Sequence, residues 1–168
     1  MQLTGTRFGA MEYREQDRIT LPEGLVGMPN LRQFLIADFE EKVPFRWLQS
    51  VDDPSVGFLI AEPALFEPEF SLGLTESDLR GLDVSDPEEL GVFVLCTFRG
   101  SWQETTGNLM GPVLVHAGSR RGRQVIVEDS GYSTHEPLRA LLSGEELEAV
   151  QRKVSQTARR QAAVESIG

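Results

Sequence analysis

The sequence predicts a mainly β fold: a small antiparallel β-barrel-like domain with short helical turns and a C-terminal helix. Three observations carry this. Up to about Ser133 the apolar residues fall in short runs broken by Gly, Pro, Asp and Asn, the pattern of many short strands joined by turns. Val92–Phe98 is apolar at successive positions, as in a strand covered on both faces. Beyond Glu136 the apolar spacing changes to three and four residues, the period of a helix face. These patterns divide the chain into a β-barrel-like domain over residues 1–135 and a helical C-terminal extension over 136–168.

In order, the expected strands are Ile19–Leu21, Phe34–Phe39, Phe45–Gln49, Val56–Ile60, Phe70–Leu74, Val92–Phe98, Val113–Ala117 and Gln124–Glu128. In Phe45–Gln49 the side chains alternate, so Phe45 and Trp47 share one face and Arg46 and Leu48 the other. One face belongs to a core, and the other is open to a partner. Two helical turns fall between strands. Thr75 is an N-cap for Thr75–Arg80. Pro87 suits the first turn of Ser85–Leu90 after a Ser or Asp cap. Val113–Ala117 and Gln124–Glu128 flank Gly118–Arg123, which reads as a hairpin loop. In the tail, Ser143 and Glu146 form a capping box. Leu147, Val150 and Val154 then recur on one face, with acids early and bases late, as the helix dipole prefers.

A chain of 168 residues fits one domain with a real core. Its 40% apolar and 25% charged residues are ordinary for a globular protein and exclude wholesale disorder. No apolar run approaches the roughly 20 residues of a spanning helix, and Met1–Thr6 lacks the basic-then-apolar order of a secretory signal. Cys96 is the lone cysteine, which rules out an intrachain disulfide and a thiolate metal cluster. A cytoplasmic protein without a membrane partner is the simplest expectation. The net charge is −10, and because the residues from Glu136 onward are balanced, all of it lies in residues 1–135. An acidic body repels phosphate backbones, so no direct nucleic-acid partner is expected. It favours a basic protein partner, or serves solubility alone.

Signals for chemistry are few. His116 and His135 are too few and too ill-spaced for a three-histidine site, and His116, in an apolar strand, reads as a surface or hydrogen-bonded residue. Cys96 lies in the most apolar strand, where a thiol packs rather than reacts. No nucleophile elbow, zinc-protease helix, phosphate loop or dinucleotide fingerprint occurs. Asp52-Asp53 could hold a cation, but paired acids before Pro54 more often make a turn. No catalytic residue, metal ligand or cofactor is therefore assigned. The segment Glu62–Phe70 mixes aromatics, acids and prolines, and reads either as an interface rim or as Phe66 and Phe70 plugging the barrel ends.

Several blocks carry a family resemblance. They are Ile19-Thr20-Leu21-Pro22-Glu23-Gly24-Leu25-Val26-Gly27-Met28-Pro29, the run from Pro44 to Phe58 with Leu48-Gln49-Ser50-Val51-Asp52-Asp53-Pro54 at its centre, Glu62-Pro63 with Phe66, Asn108-Leu109-Met110-Gly111-Pro112-Val113, and Gly122–Ile126. In order and spacing the chain resembles the FliW family of bacterial flagellar assembly factors from about residue 6 to 133. Gly111 departs from the Ala usual before that proline, and His116 from a common Asn. The tail from Glu136 has no counterpart in the family core.

What the resemblance implies is a non-enzymatic regulator of translation. FliW-like proteins bind flagellin and also bind CsrA, a basic RNA-binding repressor of flagellin translation. Export of flagellin frees them to bind CsrA and relieve repression. The residues expected to bind partners are Phe45, Leu48, Gln49, Ser50, Asp52, Asn108 and Leu109, as polar groups and apolar neighbours at strand ends. For the polar ones a structural role, hydrogen bonding to loop backbone, is the alternative. The competing class is a small β-barrel enzyme or ligand-binding protein with a polar pocket around Asp52, Asn108 and His116. A nucleic-acid-binding barrel would have only the local patch Arg120, Arg121 and Arg123 to work with.

Overall fold

A computed structural model of the chain describes residues 1–39 and 43–139. The strands are β1 (Gln2–Thr6), β2 (Gly9–Glu12), β3 (Ile19–Thr20), β4 (Gln33–Asp38), β5 (Phe45–Ser50), β6 (Gly57–Ala61), β7 (Leu90–Thr97), β8 (Thr106–Gly107), β9 (Val113–His116), β10 (Arg121–Gln124) and β11 (Glu136–Pro137). Helix α1 (Glu76–Leu79) is a single turn. No helix among the described residues is long and apolar enough to cross a membrane.

Seven strands close into a barrel in the order β3-β4-β5-β6-β7-β9-β10, with β10 returning to β3. Strand β7 makes closure possible by serving two neighbours on one edge. Its first half, Leu90–Phe93, pairs with β9, and Cys96–Thr97 pair with β8. All pairings are antiparallel except β10 with β3, which meet in one parallel pair, Arg121 with Thr20. Strand β11 adds to the outer edge of β8. Strands β1 and β2 form a separate hairpin.

Register sorts the side chains into an inner and an outer layer. The cross-strand row Ile36–Leu48–Phe58 points inward. There Leu48 and Phe58 join Ile19, Phe34, Ile60, Val113 and Val115 in one cluster drawn from strands all round the barrel. Gly122 is the inward residue of β10: a Cβ there would lie 2.7 Å from the Leu114 carbonyl oxygen. The row Ala37–Trp47–Leu59–Cys96 points outward. It packs with Phe45, Phe66, Val94 and Leu109, and Phe8 from the hairpin covers it. The Phe8 ring meets Trp47 edge-on at 5.2 Å. Leu82, Leu114 and Val125 form a third, smaller cluster on the outside. Strands β5 and β6 are therefore buried on both faces except at Arg46, whose side chain stays 41% exposed near the start of β5; the rest of the face it shares with Leu48, expected to be open to a partner, is core.

Other differences have local causes. Phe70–Leu74 is not a strand: Phe70 stacks on Tyr132 with ring centroids 4.9 Å apart, and the Tyr132 hydroxyl accepts from the Ser71 N–H at 3.3 Å. Strand β10 starts earlier than its apolar residues suggest, because Arg120 turns the chain with φ of 54° and the glycine at 122 fits the crowded inner wall. The hairpin loop is Ala117–Arg120. Strands β1, β2 and β8 went unforeseen because they are polar and short. The pairing of β11 and the bond from the Arg139 N–H to the Leu65 carbonyl carry the β domain past residue 135. The expected helix from Ser143 lies outside the described residues. Thr75 does cap α1, accepting from the Asp78 N–H, and Asp86 caps the turn Pro87–Glu89.

Gly57 shows how tightly the outer layer is built. A Cβ at this position would lie 2.4 Å from the Trp47 indole. Gly57→Ala is expected to cost about 1–3 kcal/mol, the range for overpacking a filled core. Urea unfolding measures it; an unchanged midpoint would show that the indole moves aside freely.

Candidate functional site

The hairpin between β5 and β6 is built by its own polar side chains. Gln49 and Ser50 are fully buried. The Gln49 Nε2 donates to the carbonyl oxygens of Ser50, Pro54 and Val56 at 2.9, 2.8 and 3.1 Å. Its Oε1 accepts from the Trp47 indole N–H at 3.1 Å. The two protons of one amide are thus shared among three carbonyls, of which that of Val56 also accepts from the Ser50 N–H at 3.0 Å, and the same side chain fixes the indole beside Gly57. Ser50 Oγ accepts from the Asp53 N–H at 3.0 Å, and Asp53 Oδ1 accepts from the Ser55 N–H and hydroxyl. Asp52, exposed at the tip, accepts through Oδ2 from the N–H groups of Arg32 and Gln33 at 2.7 and 2.8 Å. This ties the tip to the chain entering β4. Asp52 and Asp53 make turns and backbone anchors.

Asn108 has the same kind of role. Its Oδ1 accepts from the N–H groups of Met110 and Gly111 at 3.1 and 3.0 Å, an Asx-type turn. Leu109 beside it is fully buried in the outer cluster. Among the seven residues expected to meet partners, Phe45, Leu48, Gln49, Ser50 and Leu109 are thus no more than 2% exposed. Side chains so enclosed present almost no surface to a protein docked on the closed fold. Asp52 and Asn108 keep exposed surface while holding loops.

The structure does not gather Asp52, Asn108 and His116 into one pocket. His116 is mostly buried, with Nε2 2.9 Å from Glu89 Oε2. Its Nδ1 accepts from the Ser119 N–H at 3.1 Å, while Ser119 Oγ donates to the Leu82 carbonyl at 2.7 Å. Since Nδ1 already receives a proton donor, Nε2 carries the hydrogen toward Glu89 in the neutral ring. The cluster fastens the segment 82–89 onto the barrel. A cleft of about 760 Å³ nearby is lined by Leu79, Asp83, Ser85, Ser119 and Arg121, and not by any of the three. Cys96 is buried, and burial pushes its thiol pKa well up, against ionisation.

Charge is concentrated in the acidic segment that starts at Glu62 and runs well beyond the stretch Glu62–Phe70 noted in the sequence. Residues 62–89 hold nine carboxylates, Glu62, Glu67, Glu69, Glu76, Asp78, Asp83, Asp86, Glu88 and Glu89, against the single Arg80. Seven of the nine are exposed. This segment wraps the outside of the barrel between β6 and β7 and includes α1. Phe66 beneath it is fully buried against Gly107, where a Cβ would meet its ring at 2.8 Å, so Phe66 plugs the core. A running count of charge along the chain would have found the segment.

Comparison with known proteins gives one consistent result. Residues 2–138 match the family described as FliW protein. The flagellar assembly factor FliW of Caldanaerobacter subterraneus subsp. tengcongensis is 35% identical over 139 residues, covering 82% of this chain and 93% of that protein. The flagellar assembly factor FliW of Magnetococcus marinus is 37% identical over 139 residues, covering 82% and 85%. A crystal structure of the flagellar assembly factor FliW superposes with a TM-score of 0.77 at 28% identity, covering 85% of this chain and all of that one.

Two outcomes test these assignments. Gln49→Ala should lower stability by about 3 kcal/mol, since it strands buried carbonyls and the indole N–H; chemical unfolding that finds less than about 1 kcal/mol would remove the clasp role. Cys96 should resist alkylation in the native chain and react once urea unfolds it, followed by mass spectrometry.

Proposed function

Because this chain belongs to the FliW family of flagellar assembly factors, we propose that it binds flagellin and CsrA in turn and thereby relieves CsrA repression of flagellin translation. It acts in the cytoplasm, without catalysis, cofactor, membrane or direct nucleic-acid contact. The observation that carries this is the match of residues 2–138 to the family, joined to the −10 net charge of residues 1–135. A basic RNA-binding protein meets an acidic surface readily, while the RNA it holds is repelled by that surface. The seven exposed carboxylates within residues 62–89 are the candidate for such a surface.

The seven residues expected at the partner surface take indirect parts in this proposal. Gln49, Ser50 and Asp52 hold the β5–β6 loop, Asn108 and Leu109 hold the loop before β9, and Phe45 and Leu48 anchor β5 beneath. Exchange between two proteins on one surface needs loops of fixed shape and no reactive group.

Association with CsrA is expected to slow clearly between 0.01 M and 0.1 M salt, where the Debye length falls from about 30 to about 10 Å. Stopped-flow mixing reads the rate. A gel-shift assay supplies the functional arm: the protein should strip CsrA from flagellin mRNA, and added flagellin should restore the complex. Absence of CsrA binding at either salt would refute the proposal, and a rate indifferent to salt would refute its electrostatic basis.

A further inference from the structure

Large apolar side chains are exposed at only three places among the described residues, Met1, Val26 and Ile126, and two of these share one surface. Val26 is 64% exposed and Ile126 48%. Between them lies the Gln124 amide. Its Oε1 accepts from the Val26 N–H at 2.8 Å, and its Nε2 donates to the Gly111 carbonyl at 2.9 Å. A Cβ on Gly111 would lie 2.9 Å from that same Nε2 and 3.5 Å from Ile126 Cδ1. Segments far apart in sequence are thus clasped by one side chain, and the glycine at 111 leaves room for it.

The surface is built to hold Val26 outward. Gly24 and Gly27 on either side have φ of 68° and 84°. Leu25 pairs back to Met28 in an isolated bridge while its side chain enters the barrel core. A Cβ on Gly24 would lie 2.6 Å from the Met28 carbonyl oxygen, so the turn admits no larger residue there. An aliphatic side chain displayed on a fixed turn loses little entropy on binding.

Next to this apolar surface is the acidic segment. Arg123, adjacent in sequence to Gln124, pairs with Glu23 at 3.0 Å and donates to the Ser77 carbonyl at 2.6 Å. It joins the turn bearing Val26 to helix α1, where Glu76 and Asp78 flank Ser77. A second copy of the chain would bring the same −10 charge against these carboxylates. The geometry points to a docking site at Val26, Gln124 and Ile126 for a basic protein segment: an aliphatic anchor on the apolar pair, with a Lys or Arg beside it facing Glu23 and α1. The partner's identity rests on the function proposed above, under which it is CsrA; the chemistry of the surface does not.

Methyl-resolved NMR of the full chain, titrated with purified CsrA, tests the site. Shift changes should centre on Val26, Leu25 and Ile126. The double variant Val26→Ser, Ile126→Ser should bind CsrA at least tenfold more weakly with an unchanged melting temperature, while the control Glu15→Gln binds like the parent. Changes centred elsewhere, or an unaltered affinity in the double variant, would overturn the site. So would flagellin perturbing these methyls where CsrA does not, or a self-association of the parent that the double variant abolishes. If the parent binds no CsrA, the proposed function fails on its own. A synthetic peptide with leucine between lysines then decides the surface: shifts at Val26 and Ile126 uphold it, and none overturn it.

Discussion

The indole of Trp47 packed against Gly57 is the contact on which the rest of the outer layer depends. Its position is fixed twice, sterically by the absence of a Cβ at 57 and electrostatically by the Gln49 amide. Gln49 can hold the indole only while it also binds the carbonyls of the β5–β6 loop, so loop shape and core packing are one constraint. Phe8 of the N-terminal hairpin and Phe66 after β6 then close over the same layer. A change in any one of these groups is felt by the others, because a close-packed interior has no slack to absorb it.

Two-sided burial explains why residues that mark the family turn out to be interior. A barrel strand normally leaves one face to solvent, but here β5 and β6 are covered outside as well. The cover consists of the N-terminal hairpin, the acidic segment and the short strands β8 and β11. Distinctive polar residues such as Gln49 and Asn108 are needed because covered loops leave backbone groups that water cannot reach. The exposed surface is carried by the acidic covering segment with its carboxylates, and by the turn and strand end that bear Val26 and Ile126.

Much of the barrel was legible in the sequence. Strands β4 to β7 and β9 follow from apolar runs, and the caps at Thr75 and Asp86 from local chemistry that acts within three residues. What could not be read depends on distant partners. Nothing near Arg121-Gly122-Arg123 says that it is a strand, since the reason is the proximity of Leu114 and Leu21 to Gly122. Phe70 looked like the start of a strand but pairs with Tyr132. For Asn108 the turn-making alternative was visible from residue type. For Gln49 the three carbonyls it serves become apparent only once the loop has closed. The burial of Phe45 and Leu48 on opposite faces required knowing that a second layer lies outside the barrel.

The single parallel pair between β3 and β10 has a consequence for how the chain reaches this structure. The hairpins β4–β5, β5–β6 and β9–β10 each join neighbours in sequence and close short loops at small entropic cost. The seam joins segments far apart, with a sequence separation of 103 between Asp17 and Arg120 where they hydrogen-bond. Its ladder is one strand pair, and the rest of the seam is joined by side chains: Arg120 to the Asp17 carbonyl, Arg123 to Glu23 and Gln124 to the Val26 N–H. Contacts of such long range form after the local ones, so the barrel is expected to zip from its hairpins and shut at β3–β10 last. Once shut, the seam is held less by backbone pairing than by these three side chains, so the closure of the wall is a matter of side-chain identity at 120, 123 and 124.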